Sequence, residues 1–82
     1  MIRLGRALHL SSSRNIIVKV ENTPKIGDAV VDENLKVVGE VFDIMGPVSS
    51  PYAIVKPKTS LPESLVSKIL YFLPSKGRRG KT

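Results

Sequence analysis

The stretch VGEVFDIMGPVSSPYAIVKP, residues 38–57, has two strand-like halves separated by a run of glycine, serine and proline. Residues 38–44 and 52–56 are rich in the β-branched and aromatic side chains that strands prefer. Between them, Gly46-Pro47 and Ser49-Ser50-Pro51 are residues that favour turns. The stretch therefore predicts two consecutive strands joined by a proline-containing turn.

Further strands are predicted on either side of this stretch. Residues 2–10 alternate apolar and polar side chains, and residues 16–20 are β-branched almost throughout. Residues 29–31 and 35–44 flank Asp32-Glu33-Asn34, which predicts a hairpin with a three-residue loop and a left-handed residue at Asn34. Strands at this spacing predict a small all-β barrel or sandwich, and closure of the sheet would remove its exposed edges.

The segment 60–73 has two possible structures. Ser60-Leu61-Pro62-Glu63 fits a helix capping box, and the apolar residues that follow fall near helical spacing. The run ILYFL, residues 69–73, is instead compact and apolar, as expected of a closing strand. The pattern alone favours neither alternative.

Length and composition limit the chain to one small domain. It has 82 residues, no cysteine and no apolar run near the roughly 20 residues that span a bilayer, so we expect a cytoplasmic protein without a signal peptide. Residues 1–75 contain nine Lys/Arg and seven Asp/Glu, whereas four more basic residues occupy the last seven positions. We predict a β-barrel over residues 1–74 and a basic flexible tail over 75–82.

The basic tail has two interpretations. Short basic termini are most often solvated ends, and the alternative is contact with RNA. The residues that would make such contacts are Lys76, Arg78, Arg79 and Lys81.

Catalytic chemistry is poorly supported by the sequence. His9 is the only histidine and has no cysteine with which to share a metal, and the glycines form no phosphate-binding loop. The aromatic residues also do not alternate with basic residues along the chain, as they do in many single-strand-binding surfaces. We predict no catalytic residue, no metal and no cofactor, and little direct RNA recognition by the barrel.

The alternation of the strand before the turn predicts which side chains face outward. If Val37, Gly39 and Val41 face the core, Gly39 allows two backbones to approach closely, and Phe42 and Ile44 point outward. The opposite choice would direct a carboxylate, Glu40, toward the core without a partner.

The first choice leaves an apolar patch on the outside of the barrel. It comprises Phe42, Ile44 and the turn residues 45–48. A contiguous exposed patch of this kind favours a binding partner, although loops of the barrel could also cover it.

The same residues carry a resemblance to a known family. The run VGEVFDIMGPV, residues 38–48, followed by Pro51-Tyr52 and by Val55-Lys56-Pro57, resembles the Gar-type subunit of H/ACA ribonucleoproteins, the RNA-guided pseudouridine synthases. The similarity continues at Arg3-Leu4-Gly5, at GDAVVD (residues 27–32) and at Leu70-Tyr71. The resemblance implies a six-stranded closed β-barrel of the reductase/isomerase/elongation-factor type. It also implies a turn near Pro62 and a strand over about residues 68–73.

The resemblance further implies a non-catalytic role. Subunits of this family dock on the catalytic domain of the dyskerin-type pseudouridine synthase and bias a mobile loop that grips substrate RNA. They thereby assist substrate placement and product release in rRNA modification, while guide and substrate RNAs are held mainly by other subunits. Carried over by position, the docking residues are Ile44, Met45, Gly46, Pro47, Val48, Pro51 and Tyr52, with Phe42 and Val55 as neighbours.

Two departures from the family pattern affect the interpretation. Eukaryotic relatives have long Gly-Arg-rich flanks, whereas this chain has only Gly77-Arg78-Arg79-Gly80 and is similar to the short archaeal form. Met45 also stands where an aromatic residue is common, and an adaptable thioether can still fill an apolar pocket. The alternative function is an RNA-binding barrel or translation-factor-like module that contacts RNA directly through the basic tail.

Overall fold

Six strands form one closed sheet in the computed structural model, which describes residues 1–74. All pairings are antiparallel, and the order around the barrel is β1-β2-β5-β4-β3-β6. The predicted all-β, six-stranded closed barrel is confirmed. The strands are β1 (Ile2–Leu10), β2 (Ile16–Val20), β3 (Ala29–Val31), β4 (Val37–Met45), β5 (Tyr52–Pro57) and β6 (Ile69–Leu73), and a 3-10 helix (Pro62–Leu65) precedes β6.

The barrel interior is filled mainly by small and medium-sized aliphatic side chains, together with the ring of Phe72. Such side chains suit a narrow barrel, in which the strands on opposite sides lie close together. The backbones of neighbouring strands approach closely at Gly39, since a Cβ atom at this position would lie 2.5 Å from the carbonyl oxygen of Lys56 on the adjacent strand β5. The predicted close approach of backbones at Gly39 is therefore confirmed. Among the fully buried side chains are Leu4, Ala7, Ile16, Val18, Val30, Ala53, Val55 and Leu70.

A bulge near the start of β4 changes which of its side chains are buried. Val30 pairs with Gly39 but Val31 pairs with Val37, so Val38 is an extra residue on β4. Val38 packs in the core, whereas 47% of Val37 is exposed. The prediction that Val37 faces the core was wrong, because the extra residue shifts the alternation.

A second bulge lies at Phe42. Val41 pairs with Val55 and Asp43 pairs with Ile54, which leaves Phe42 without an opposite residue on β5. Phe42 is 57% exposed, as predicted. Beyond the bulge the alternation is reversed, so Ile44 is half-buried and packs against the core. The prediction that Ile44 points outward was wrong for this reason.

The connection between β3 and β4 is longer than predicted. The Asp32 carboxylate accepts hydrogen bonds from the Asn34 and Lys36 backbone N–H groups, at 2.8 and 3.0 Å. This aspartate turn extends the loop over residues 32–36, and β4 begins at Val37. The left-handed residue is Leu35, with φ of 64°, and not Asn34 as predicted.

The segment 60–73 forms a 3-10 helix and then a strand. The helix has no side-chain cap, so the predicted capping box does not form. β6 pairs with both β1 and β3 and thereby closes the barrel. The strand implied by the family resemblance is therefore confirmed.

Two sequence predictions concern features other than the barrel. The predicted basic tail, residues 75–82, lies outside the described residues. Over the described range, no helix has both the length and the apolar character that a membrane span requires.

Candidate docking surface

The turn between β4 and β5 is held by short-range backbone contacts. Gly46 has φ of 94°, a left-handed conformation that glycine adopts without a steric penalty. The Ser50 N–H donates to the Pro47 carbonyl at 3.0 Å, and Met45 pairs with Tyr52 across the base of the turn. Pro51 is also fixed by the neighbouring strand β2, because its carbonyl accepts a hydrogen bond from the Val20 N–H at 3.2 Å. The sequence therefore gives a turn with a defined shape.

This turn carries a cluster of exposed apolar side chains. The exposed fractions are 57% for Phe42, 51% for Met45 and 100% for Val48. Pro47 is also exposed, while Pro51 and Tyr52 are half-buried. We call this region the docking surface, and it comprises Phe42, Met45, Gly46, Pro47, Val48, Pro51 and Tyr52.

Two residues predicted for this surface pack wholly or partly in the core. Val55 is fully buried, with Ile16 and Val41 opposite it on the two neighbouring strands. A side chain in that position cannot contact a partner, so the structure removes Val55 from the predicted surface. Ile44, beyond the bulge, is half-buried and packs against the core.

One apolar neighbour of the docking surface was missed by the sequence analysis. The Gly27 N–H donates to the Val41 carbonyl at 2.8 Å, which brings Ile26 beside the bulge at Phe42. Ile26 is 64% exposed. No local sequence pattern indicates this proximity, because it depends on how the β2–β3 loop folds against β4.

The structure also brings basic residues next to an aromatic residue, which the sequence analysis had not anticipated. Lys19 lies directly opposite Tyr52 on β5, and Arg6 lies directly opposite Lys19 on β1. A cleft of about 280 Å³ runs along this part of the barrel and is lined in part by Arg6 and Lys19. These three residues are far apart in the chain, so only the register between neighbouring strands reveals that they are adjacent.

Another cleft on the described barrel is lined by an acidic residue whose contacts order a loop. This cleft of about 440 Å³ is lined by residues that include Lys25, Phe72 and the buried Asp28. The Asp28 carboxylate accepts the Lys25 backbone N–H at 2.9 Å, and the Asp28 carbonyl accepts the Val41 N–H at 2.9 Å, so this residue orders the loop. His9 is exposed, and residues 1–74 contain no group of three or more potential metal ligands.

The residues predicted to contact RNA lie outside the part of the chain that the structure describes. They are Lys76, Arg78, Arg79 and Lys81.

Comparison with known proteins connects this barrel to one family. The model of the Gar1/Naf1 RNA binding region matches residues 1–76. An uncharacterized protein of Methanothermobacter thermautotrophicus is 33% identical over 70 residues, which are 84% of this chain and 76% of that protein. The family match spans all six strands and the docking surface, and it confirms the resemblance found in the sequence. The chain belongs to the family of Gar1/Naf1 RNA-binding regions.

Proposed function

We propose that this chain is a non-catalytic subunit of an H/ACA RNA-guided pseudouridine synthase complex and docks directly on the dyskerin-type catalytic subunit. The observation that carries this proposal is the exposed apolar cluster of the docking surface, with Phe42, Met45 and Val48 all more than half exposed. Apolar side chains concentrated at one place on a small barrel favour a protein partner. Membership of the Gar1/Naf1 family supports the choice of partner.

The shape of the turn suits a stable interface. A turn that is already ordered by its own hydrogen bonds loses little conformational entropy on binding. Tyr52 offers a large apolar ring with one polar tip, and Met45 can adapt to an irregular pocket. We expect an interface on the order of 1,200 Å² in total, which is typical of specific protein pairs.

In this role the chain assists catalysis carried out by its partner. It helps to place substrate RNA and to release product during rRNA modification, and it meets the guide RNA and the other H/ACA proteins mostly through the catalytic subunit. The barrel, residues 1–74, is the docking module, and residues 75–82 are a basic tail. The similarity to a Methanothermobacter protein supports a short archaeal form. We place its action in the cytoplasm as part of the proposal.

Substitutions in the docking surface test this proposal. We expect Tyr52→Ala and Met45→Ala each to weaken binding to the catalytic subunit by roughly 1 to 3 kcal/mol, because buried aromatic and thioether anchors dominate such interfaces. Titration calorimetry of the full chain against nuclease-treated catalytic subunit measures the effect.

A matched control is available at the other end of β4. Leu35 is 59% exposed but lies in the β3–β4 connection, so Leu35→Ala removes a similar apolar side chain away from the docking surface. We expect its affinity to match that of the native chain. Unchanged affinity for both Tyr52→Ala and Met45→Ala, with the fold intact, would contradict the assignment.

A second candidate function is supported by the RNA-binding description of the family. In this alternative the chain is an RNA-binding or translation-factor-like barrel that contacts RNA directly through Lys76, Arg78, Arg79 and Lys81. It predicts tight, salt-sensitive RNA binding that requires the tail, and no affinity for the synthase once RNA is removed. The docking proposal predicts synthase binding without RNA.

A further inference from the structure

A row of outward-facing residues crosses four strands of the barrel beside the docking surface. Arg6 on β1 is directly opposite Lys19 on β2, and Lys19 is directly opposite Tyr52 on β5. Tyr52 in turn pairs with Met45 on β4. Directly opposite residues have Cβ atoms only about 5 Å apart, so Lys19 lies immediately beside Tyr52 of the docking surface and Arg6 lies one strand further away.

The pairing of these two charges is unfavourable within the barrel itself. Like charges directly opposite each other on neighbouring strands destabilise a sheet. Within residues 1–74, Lys19 has no ion pair. Arg6 donates one hydrogen bond from Nη1 to the Ser67 carbonyl at 3.1 Å, and no carboxylate of the described range pairs with it. An anionic ligand would relieve this repulsion.

The surroundings of the two charges form a recess that such a ligand could enter. The cleft of about 280 Å³ is lined by Arg6, Leu8, Lys19, Val20 and Glu21. The single carboxylate of this lining, Glu21, is paired with Arg3, with 3.0 Å between Oε1 and Nε. The charges left without a counter-ion in this cleft are therefore both positive.

We infer that Arg6 and Lys19 form a phosphate-binding strip for the backbone of an RNA strand. The inference deepens the proposed function and rests on it, because RNA is the polyanion that an RNA-modification complex would present to this face. Arg6 retains several free N–H donors and Lys19 supplies a compact charge, which are the groups that hold phosphates. Since the strip adjoins Tyr52, RNA held there would run along the edge of the interface with the synthase.

The strip makes a quantitative prediction about salt dependence. Each phosphate contact to a single strand contributes about 0.7 to the slope of log affinity against log salt concentration. We therefore expect the double variant Arg6→Gln, Lys19→Gln to reduce the magnitude of that slope by about 1.4, and to weaken binding roughly 20-fold at 0.1 M salt. The measurement is fluorescence anisotropy of a labelled 16-nucleotide uridine strand with the full chain, between about 0.05 and 0.3 M salt.

A second double variant controls for net charge. Lys25→Gln with Lys36→Gln removes the same two charges from exposed residues outside the row, and we expect it to reduce the slope and the affinity much less. Two outcomes would contradict the assignment of the strip. One is an equal effect of the two double variants on RNA binding. The other is an unchanged salt slope for R6Q/K19Q, which would mean that the tail carries all of the RNA affinity. Thermal unfolding of each variant checks that the barrel is intact.

The same variant separates this inference from the proposed function. R6Q/K19Q keeps every residue of the docking surface, so we expect it to bind the nuclease-treated catalytic subunit like the native chain. Loss of RNA binding with retained synthase binding supports the strip. Normal RNA binding by R6Q/K19Q contradicts the strip and leaves the docking proposal to be decided by Tyr52→Ala and Met45→Ala.

Discussion

At the scale of single residues, Gly39 shows how closely the barrel strands approach each other. A Cβ atom at this position would lie 2.5 Å from the Lys56 carbonyl oxygen and 2.9 Å from Val55 Cγ1. The first neighbour is backbone and the second is a fully buried side chain, so neither can move away easily. The absence of a side chain at Gly39 is therefore a requirement of the fold.

This requirement leads to a prediction about stability. We expect Gly39→Ala to lower the free energy of unfolding by about 1 to 3 kcal/mol, because the added methyl group overpacks the barrel. Urea unfolding measures the change. Gly46→Ala is a useful comparison, since its Cβ would meet no atom closer than 3.4 Å and its cost of about 1 to 2 kcal/mol arises from a positive φ. A Gly39→Ala variant as stable as the native chain would contradict the close approach.

At the scale of secondary structure, the bulges of β4 decide which side chains form the docking surface. If side chains alternated strictly between the core and the outside, starting from the inward-facing Val41, Asp43 would be buried and Ile44 would be exposed. The extra residue at Phe42 reverses this outcome, because it moves Ile44 opposite the buried Ala53 and leaves Asp43 exposed. The bulge therefore gives β4 a core face and an exposed aromatic residue within a few positions.

Alanine substitutions at Phe42 and Ile44 test whether the alternation of β4 is reversed at the bulge. Ile44→Ala should destabilise the protein by about 1 to 2 kcal/mol, less than the cost at a fully buried position, because Ile44 packs partly against the core. Phe42→Ala should change stability by less than about 0.5 kcal/mol, because the ring is largely exposed. Unfolding by urea distinguishes the two, and the opposite ranking would show that the alternation is not reversed.

The same elements show what the sequence could and could not predict. β-branched runs and turn residues were sufficient to locate the first five strands but not β6, and the glycine in β4 indicated the close approach. The bulges have no such marker, since neither Val38 nor Phe42 differs in type from ordinary strand residues. The predicted orientations of Val37 and Ile44 were therefore wrong, while the predicted orientation of Val41 was right.

At the scale of the whole molecule, closure of the barrel creates surfaces that no local pattern contains. The segment 60–73 is ambiguous by itself, and its last part, β6, is a strand because β1 and β3 each require a partner at their open edges. The row of Arg6, Lys19 and Tyr52 likewise depends on register across three strands. The strand spacing left a barrel and a sandwich as alternatives, and the family resemblance implied the closed six-stranded barrel. The cross-strand basic row was not predicted.

The surfaces described above occupy different parts of the barrel. The docking surface lies at one end of β4, the basic row extends from it across β5, β2 and β1, and the long β3–β4 connection lies at the other end of β4. A partner bound at the turn would leave that connection free. This geometry predicts where the proposed synthase partner would reduce solvent access to the barrel and where it would not.

Hydrogen–deuterium exchange of the full chain, alone and bound to the dyskerin-type catalytic subunit, tests the central claim most directly. Our account predicts slower exchange in the bound state for the non-proline backbone amides of residues 42–52, because the docking surface becomes buried. It predicts unchanged exchange in the β3–β4 connection, residues 32–36. A stable complex in which residues 42–52 exchange as fast as in the free chain, with protection elsewhere on the barrel, would contradict the account.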